Sequence, residues 1–264
     1  MQKMLVAGVV FAGMSLLGCG GESALFCTDV QGLTAEELAA GLPGVYAERT
    51  VVVTLDKAEG QAEAETVGIY YNLNRIEQVD GKLVSTASPC RGLVQSKGIA
   101  TLSISDAVTR LIPPLIGEVS VTEGSAGAVI SRAEAVAPVS VQLADPWNDP
   151  LPTDAKDPRI VDADQDGNPG ISIDIKVFGI KGKIFVIRRE RNRWEASPAT
   201  NGSFHGLIKD ASEQLVVGAN PSMFNVKMTS KPHPDASRST ADLIRLPADL
   251  TCDEYVAKLP QLFP

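Results

Sequence analysis

The sequence is poor in the residues that most often carry catalysis. It has two histidines among 264 residues, and aromatic residues make up 5% of the chain. It contains no HExxH zinc motif, no GxSxG nucleophile elbow and no glycine-rich phosphate loop. None of its four cysteines lies in a CxxC pair, so a zinc ribbon or a thioredoxin-like motif has no support. The sequence therefore gives little support for an enzyme.

Basic residues are outnumbered by acidic ones. The chain has 24 Lys and Arg against 32 Asp and Glu, which gives a formal net charge of −8 at pH 7. A surface of this sign repels nucleic acid and has no general attraction for anionic lipid headgroups. We therefore expect no nucleic-acid partner.

The sequence also lacks an apolar run long enough for a bilayer-spanning helix, which needs about 20 residues. Its apolar stretch from Met4 to Leu17 follows a basic start at Lys3, and small Gly18 and Cys19 end it. This order is typical of a secretory signal peptide. A plain secretory signal with cleavage near residues 23–24 is one interpretation of it.

The block Leu16-Leu17-Gly18-Cys19 resembles the lipobox of bacterial lipoproteins, with Leu17 a less usual second residue. The resemblance covers only the leader. It implies that residues 1–18 are a signal peptide, and that Cys19 is acylated and becomes the first mature residue. Because Gly20 and not aspartate follows, it also implies an outer-membrane lipid anchor in the cell envelope, with the body on the periplasmic or the surface face.

After a tether at residues 19–33, the rest of the chain is predicted to be mostly β. A capping box at Thr34 and Glu37 predicts a brief first helix, and residues 252–259 predict a short last one. Between them the apolar period is two. One face of a strand over residues 44–55 carries Val45, Ala47, Val51, Val53 and Leu55. One face of the next strand carries Val67, Ile69, Tyr71 and Leu73, and Asp80-Gly81 predicts a hairpin.

Ten or more such strands predict an antiparallel β-barrel or β-sandwich, of which a lipocalin-like barrel is one form, with a few short helices. We expect one β-rich domain over residues 34–264. The alternative is a boundary in the segment 145–158, which is rich in proline and aspartate and has no periodicity.

Three cysteines remain if Cys19 is lipidated, and the envelope permits disulfides. All three pairings of Cys27, Cys90 and Cys252 are open. We favour Cys90–Cys252, because Cys27 lies close to the anchor.

One segment has the spacing of a metal-binding loop. Asp162, Asp164 and Asp166 alternate, and Gly167 at the sixth position permits a sharp turn that brings carboxylates together. Hard Ca²⁺ takes six to eight oxygen ligands. The acidic surface turn, in which aspartates accept bonds from nearby backbone amides, is the alternative interpretation.

This segment resembles the DxDxDG calcium loops of EF-hands and of calcium-binding β-repeat proteins. The resemblance implies side-chain ligands at Asp162, Asp164 and Asp166 and a carbonyl ligand at Asn168. The twelfth position is Ile173 where an EF-hand has glutamate, so Asp174, one residue further, is the candidate closing ligand. A calcium ion here is expected to be structural.

Two further segments give weaker indications of function than the acidic loop. Residues 188–193 contain four arginines, which we place at a solvated hairpin tip that could meet lipid phosphates or an acidic partner. Ser203 and His205 would share one face of a strand. The first hypothesis is a lipid-anchored envelope protein whose β domain binds a small apolar ligand or an envelope protein. The alternative is an envelope-anchored hydrolase.

If Cys19 is acylated, the intact mass of protein purified from its native host should exceed that of residues 19–264 by the mass of the acyl groups. Several acyl chains anchor far more firmly than one, so Cys19→Ala should leave the membrane fraction. A bare thiol on Cys19 in the native protein would contradict the anchor.

Overall fold

The computed structural model describes residues 32–199 and 202–264. The expectation of a mainly antiparallel β fold with short helices is confirmed. Within these residues the twelve strands are β1 (Gly44–Ala58), β2 (Ala64–Val79), β3 (Lys82–Ser96), β4 (Ala100–Ser103), β5 (Leu115–Gly124), β6 (Gly127–Val139), β7 (Ile171–Val177), β8 (Ile180–Pro198), β9 (Ser203–Asp210), β10 (Glu213–Asn220), β11 (Met228–Pro232) and β12 (Thr240–Arg245).

Three α-helices flank the strands. They are α1 (Ala35–Gly41), α2 (Asp106–Thr109) and α3 (Cys252–Leu262), and two 3₁₀ turns cover Ser222–Phe224 and Ala236–Arg238. The predicted capping box is present, since the Thr34 hydroxyl accepts from the Glu37 amide and the Glu37 carboxylate accepts from the Thr34 amide. Among the described helices none has the length and apolar character needed to cross a bilayer.

Eight strands form a closed antiparallel ring. Its order is β1, β2, β3, β5, β6, β8, β9 and β12, and β12 pairs with β1 again. We call the part of the molecule around the first residues of β1 the lower half. Its interior is filled by large side chains, namely Tyr46, Ile76, Ile130, Trp194 and Phe204. Helix α1 closes this end with Leu38 and Leu42.

The upper half contains the last residues of β1 and β3 and the first residues of β2 and β8. Here β7 and β10 flank β8, β4 pairs with β7, and β11 pairs with β1. Strands β1, β2, β3 and β8 therefore run through both halves, and β1 alone spans roughly 50 Å at about 3.3 Å per residue. The connections at the upper end are residues 59–63, 97–99, 178–179 and 221–227.

Two segments cover the outside. Helix α3 packs Tyr255 and Leu259 over Ala47 and Ile244. The long connection between β6 and β7 places Val141 and Leu151 against Phe185, Ile187 and Val217 of β8 and β10. Helix α3 continues past Pro260, although the sequence predicted that it ends at residue 259. This is possible because a proline within the last turn interrupts few intrahelical bonds.

The apolar face that the alternation marks in β1 and β2 is not the inward face of the ring. Their odd-numbered apolar residues, such as Ala47 and Leu73, pack outward beneath α3. The even-numbered residues Glu48, Thr50, Tyr70 and Asn72 point into the ring, where they line a cavity. The apolar alternation is real, but it marks the face covered by the helix.

Candidate functional site

A cavity of about 190 Å³ lies inside the upper half, between β1, β2 and β8. Its lining alternates along these strands because every second residue faces inward. The polar part of the lining consists of Glu48, Thr50, Thr54, Asp56, Thr66, Tyr70, Asn72, Arg188, Glu190, Asn192, Asp210, Ser212, Gln214 and Ser230. The apolar part includes Val52, Leu102, Ile104, Ile112, Leu115, Val139, Ile171, Ile173, Ile184 and Val186.

The floor of the cavity is a hydrogen-bonded layer around Glu48, a carboxylate that is 1% exposed. Its two oxygens accept from the side-chain amides of Asn72, at 2.7 Å, and Asn74, at 2.6 Å. The Ser85 hydroxyl in turn donates to Asn74 at 2.8 Å. A buried carboxylate is costly unless it is bonded in this way, so the layer supplies the hydrogen-bond partners that Glu48 requires.

Arg132 lies behind the floor and is 2% exposed. Its guanidinium donates to both the backbone and the side-chain oxygen of Asn192 and stacks on Trp194 at 5.8 Å. Burial lowers the pKa of Arg132, and the negative charges of Glu48 and Glu190 oppose that effect. This arginine therefore offsets part of the negative charge at the base of the cavity.

One flank of the cavity is an ion cluster at the centre of β8. The Arg188 guanidinium donates to Glu190, two residues along the same face, and reaches the Gln214 side chain at 3.4 Å. Asn192 donates to the other Glu190 oxygen at 3.1 Å. Burial acts to lower the pKa of Arg188, but Glu190, Tyr70 and Asp210 outweigh it, so that pKa is raised.

Asp210 lies beside this cluster at the end of β9. Its carboxylate accepts from the Ser212 hydroxyl at 2.6 Å. Burial is the main cause that raises the pKa of Asp210 to about 6; the neighbouring Glu190 raises it too, and Arg188 opposes them. Asp210 is thus a carboxyl group that changes its charge near neutral pH inside a cavity, a frequent property of functional sites.

Tyr70 faces the same cluster from β2. Burial raises the pKa of its hydroxyl, and its charged neighbours include Arg188, Glu190 and Asp210. Its ring lies over Gly68, where a Cβ atom would meet ring atoms at 2.9 Å. Glycine at position 68 therefore leaves the room that the Tyr70 ring occupies.

Negative charge is in excess around the cavity. Four lining carboxylates, Glu48, Asp56, Glu190 and Asp210, face one lining guanidinium, that of Arg188. Even with Arg132 behind the floor, the carboxylates outnumber the guanidinium groups. Much of the remaining lining is apolar and rich in isoleucine, so the cavity combines a polar, net-negative part with an apolar one.

The predicted metal loop forms a second cluster on the connection that leads into β7. One carboxylate oxygen from each of Asp162, Asp164 and Asp166 lies within 4.8 Å of the others. Gly167 adopts the expected left-handed turn, with φ +85°. One oxygen of Asp164 is buried without a hydrogen-bond partner among the described residues. An acidic cluster compatible with a metal ion is therefore present.

The same carboxylates also serve the loop itself. Asp162 accepts from the Asp166 and Gly167 amides, and Asp164 accepts from the Ser172 amide. Asp166 accepts from the Ser172 hydroxyl at 2.6 Å and from Lys183 at 3.3 Å; the Ser172 bond is the main cause that lowers the pKa of Asp166 to about 2.

The two remaining predicted ligands, Asn168 and Asp174, are not placed as the resemblance implied. The Asn168 amide nitrogen donates to Asp166 at 2.9 Å, so its side chain supports a ligand in this conformation. Asp174 is exposed on β7, opposite Lys183 in the strand pairing, and is not among the clustered carboxylates.

Of the cysteines, Cys90 and Cys252 form a disulfide that joins β3 to the start of α3 across 162 residues of sequence. This is the pairing that the sequence favoured. Cys90 lies within β3, at a bulge in its pairing with β2. Cys19 with its lipobox, and Cys27, fall outside the described residues.

His205 lies on the outer side of the ring, 62% exposed, where its Nδ1 is 2.6 Å from Asp242. Ser203 is two residues away on the same strand. Neither residue belongs to the cavity lining. The position predicted for a hydrolase nucleophile and base is thus separate from the cavity.

The arginine-rich segment was placed wrongly. Residues 188–193 are the middle of one continuous strand, β8, and not a hairpin tip. Arg188 lines the cavity, whereas Arg189 points the other way, is 4% exposed, and donates to backbone oxygens of Trp147 and Asp149. Arg189 and Arg191 have carbonyl or acidic partners from elsewhere in the chain, which the local sequence does not reveal. The shared parity of Arg188, Glu190 and Asn192 was the signal that could have located the site.

Comparisons with protein-family models, with curated proteins and with solved structures give no match to the chain. The function is therefore inferred from the residues of the site.

The pKa of Asp210 predicts an unusual pH dependence of stability. Its folded value of about 6 lies above the value of about 3.9 in an unfolded chain, so the folded state binds the proton more tightly in between. The contribution of Asp210 therefore falls as pH rises from about 4 to 6. We expect Asp210→Asn to unfold in urea like the wild type near pH 4, and to be more stable by up to about 2 kcal/mol at pH 7.

Asp166→Asn is the matched control, because the pKa of Asp166 is shifted the other way. A lowered pKa stabilises the folded state above the unfolded value, so this variant should lose stability at pH 7. Equal pH profiles for wild type and Asp210→Asn would show that Asp210 titrates normally.

Proposed function

We propose that the chain is a binding protein that holds a small amphipathic ligand in the cavity of its upper half. The observation that supports this is the pairing of an ion cluster, Arg188, Glu190 and Asp210, with an apolar wall inside a closed ring. Ligand sites are typically concave and largely apolar, with a few placed polar groups that fix orientation. Filling the interior with leucine would have been the simpler way to stabilise such a ring.

The size of the cavity limits the ligand. An engineered cavity of about 150 Å³ holds benzene, which is about 25 Å³ per non-hydrogen atom. On that scale the 190 Å³ of this cavity hold about eight non-hydrogen atoms. The ligand is thus smaller than the apolar cargo of a large lipocalin-like barrel, and an amphipathic ligand fits the lining better than the wholly apolar one that the sequence suggested.

The charge of the lining favours a cation. The cavity carboxylates exceed the guanidinium groups, and Asp210 is held near its point of ionisation by burial and by Glu190. A bound ammonium group would relieve both effects, because an opposite charge within a few ångströms favours the ionised carboxylate. We therefore propose a small amine with an apolar body as the ligand class.

The cellular setting that we propose rests on the leader alone. The lipobox-like block ending at Cys19 supports a lipid-anchored protein of the cell envelope, on the periplasmic or surface face of the outer membrane. In that setting the ring is the part that acts, and the N-terminal segment is the anchor. The hydrolase alternative depends on Ser203 and His205, and neither residue lines the cavity.

For the acidic loop we propose Ca²⁺ as the ion. Carboxylate and carbonyl oxygens are hard ligands of the kind that Ca²⁺ takes, and the buried unpartnered oxygen of Asp164 is the observation that favours an ion over a plain turn. The ion would join the loop to the first residues of β7, where Ser172 already bonds to Asp164 and Asp166. Its role would be structural.

For the cavity, we expect benzylamine to bind the full-length protein and benzyl alcohol to bind at least about tenfold more weakly, with benzoate excluded. Asp210→Asn should weaken benzylamine by at least about tenfold, because it removes one partner of an interior charge pair. Affinity for the amine should also fall as pH drops below the Asp210 pKa of about 6. Calorimetry and NMR shift changes of the Ile171 and Ile184 methyl groups measure both.

Glu59→Gln, which removes an exposed carboxylate outside the cavity, is the control and should leave the amine affinity unchanged. Tighter binding of benzoate than of benzylamine would assign recognition to Arg188 and overturn the cation proposal. Failure of all three probes would overturn the cavity as a ligand site.

For the loop, millimolar Ca²⁺ should raise the melting temperature and a chelator should lower it. Asp164→Ala should abolish the shift, whereas Asp174→Ala should keep it, because only Asp164 belongs to the cluster. A melting temperature that does not change with Ca²⁺ would favour the interpretation of the loop as an acidic turn without an ion. A shift lost in Asp174→Ala instead would favour the ligand set predicted from the sequence.

A further inference from the structure

Exposed apolar residues gather at the upper end of the ring. We call Ile99, Phe178, Ile180, Met223 and Val226 the tip patch; their exposed fractions run from 36% for Val226 to 83% for Phe178. Four of them lie in three of the four connections at this end, and Ile180 is the first residue of β8. Segments that are far apart in sequence therefore contribute to one apolar surface.

The strand register brings the members together. Ala100 pairs with Val177, so Ile99 is next to Phe178 at the end of the ladder. Val177 pairs with Ile180 across the turn. Asn220 pairs with Lys183, and a Cβ atom at Gly182 would meet the Phe224 ring, so the connection 221–227 lies beside the first residues of β8. The tip patch is thus formed by neighbouring turns at one end of the ring.

Phe178 is in a conformation that its side chain disfavours. The two-residue turn Phe178-Gly179 has positive φ at both positions, 48° and 86°, which is the type I′ pattern. Asparagine, aspartate and glycine are preferred at the first of these positions, and a bulky residue there is an outlier. The other such hairpin, at the lower end, has Asp80-Gly81. A strained phenylalanine that is 83% exposed does not serve the fold, which points to a partner outside the chain.

The charge around the tip patch is positive although the protein is acidic. Residues 57–63, 97–99, 176–181 and 221–227 hold five exposed lysines, Lys57, Lys97, Lys176, Lys181 and Lys227, and two exposed glutamates, Glu59 and Glu63. Glu63 is paired with Lys231 from outside this set, and Lys97 with Glu65. The whole chain has a net charge of −8, so this end is locally reversed.

We propose that the tip patch docks on an anionic lipid surface. Apolar side chains on turn tips enter the headgroup region, while surrounding lysines are attracted by anionic lipids. Lysines around the patch would repel those of a second copy, which argues against self-association. This docking is separate from the lipid on Cys19, because α1 and the start of the described chain lie at the opposite end.

The Phe178→Trp variant of the full-length protein gives a readout at the tip patch when the emission of the wild type, which comes from Trp147 and Trp194, is subtracted. Phe178→Trp emission should shift to shorter wavelength with vesicles of phosphatidylglycerol, should stay unchanged with phosphatidylcholine, and should return in high salt. Adding Lys176→Gln and Lys181→Gln should weaken the binding by about 25-fold, since each lysine near the surface contributes about fivefold.

Val79→Trp is the matched control, because Val79 is 48% exposed beside the hairpin at the other end. Its emission should not depend on the headgroup charge. Phe178→Asn tests the reason for the phenylalanine: its melting temperature should equal or exceed that of the wild type, because Asn-Gly suits the turn. A lower melting temperature would give Phe178 a role in folding and remove that argument.

Three outcomes would overturn the proposal. Unchanged Phe178→Trp emission with anionic vesicles would exclude docking. An equal shift with phosphatidylcholine would exclude recognition of charge. A shift that appears without lipid as the protein is concentrated would assign the tip patch to a second copy of the chain.

Discussion

The continuous pairing of β8 on both of its edges is the constraint on which the rest of the structure depends. Its 19 residues pair with β7 and then β6 on one edge, and with β10 and then β9 on the other. One strand therefore carries both halves in a single hydrogen-bonded frame. Its inward positions change from Ile184 and Val186 through Arg188 and Glu190 to Trp194, so the same alternation builds the apolar wall, the ion cluster and the packed lower core.

The polar layer at the boundary between the halves makes the fold less stable than an apolar layer of the same volume would. Glu48, Arg132 and Asn192 are each at most 5% exposed, and the Arg132 Nε has no hydrogen-bond partner among the described residues. Buried ion and amide networks seldom stabilise a fold more than apolar residues of the same volume would. The layer holds the groups above it in fixed positions, which a ligand site requires and a plain core does not.

Much of the fold follows from local signals in the sequence. The Thr34 capping box, the Asp80-Gly81 turn, most strand positions and the turn at Gly167 depend on neighbours within a few residues, so the sequence predicts them. The apolar pattern of β1 does not identify its inner face, because two surfaces of this ring are buried, the interior and the face beneath α3. With Tyr70 and Asn72 on the inner face, the apolar pattern pointed to the helix-covered side.

The candidate site was harder to predict, because its members are distant in sequence. The aspartates of the acidic loop lie within five residues of each other, and their spacing alone brings them together. Arg188, Asp210 and Tyr70 meet only when β2, β8 and β9 are assembled. A run of arginines is usually solvated, and the shared parity of Arg188, Glu190 and Asn192 is only a weak local signal for the inward face of a strand.

The positions that break local rules are unevenly distributed. Inward-facing carboxylates, the phenylalanine in a left-handed turn, and three aspartates held within 4.8 Å of one another all occur around the upper half. The lower half is packed with Tyr46, Trp194 and Phe204, and its hairpin turn uses the favourable Asp80-Gly81. Because natural sequences tend to depart from consistency where function demands it, this contrast supports the proposal that the upper half binds a ligand and the lower half stabilises the fold.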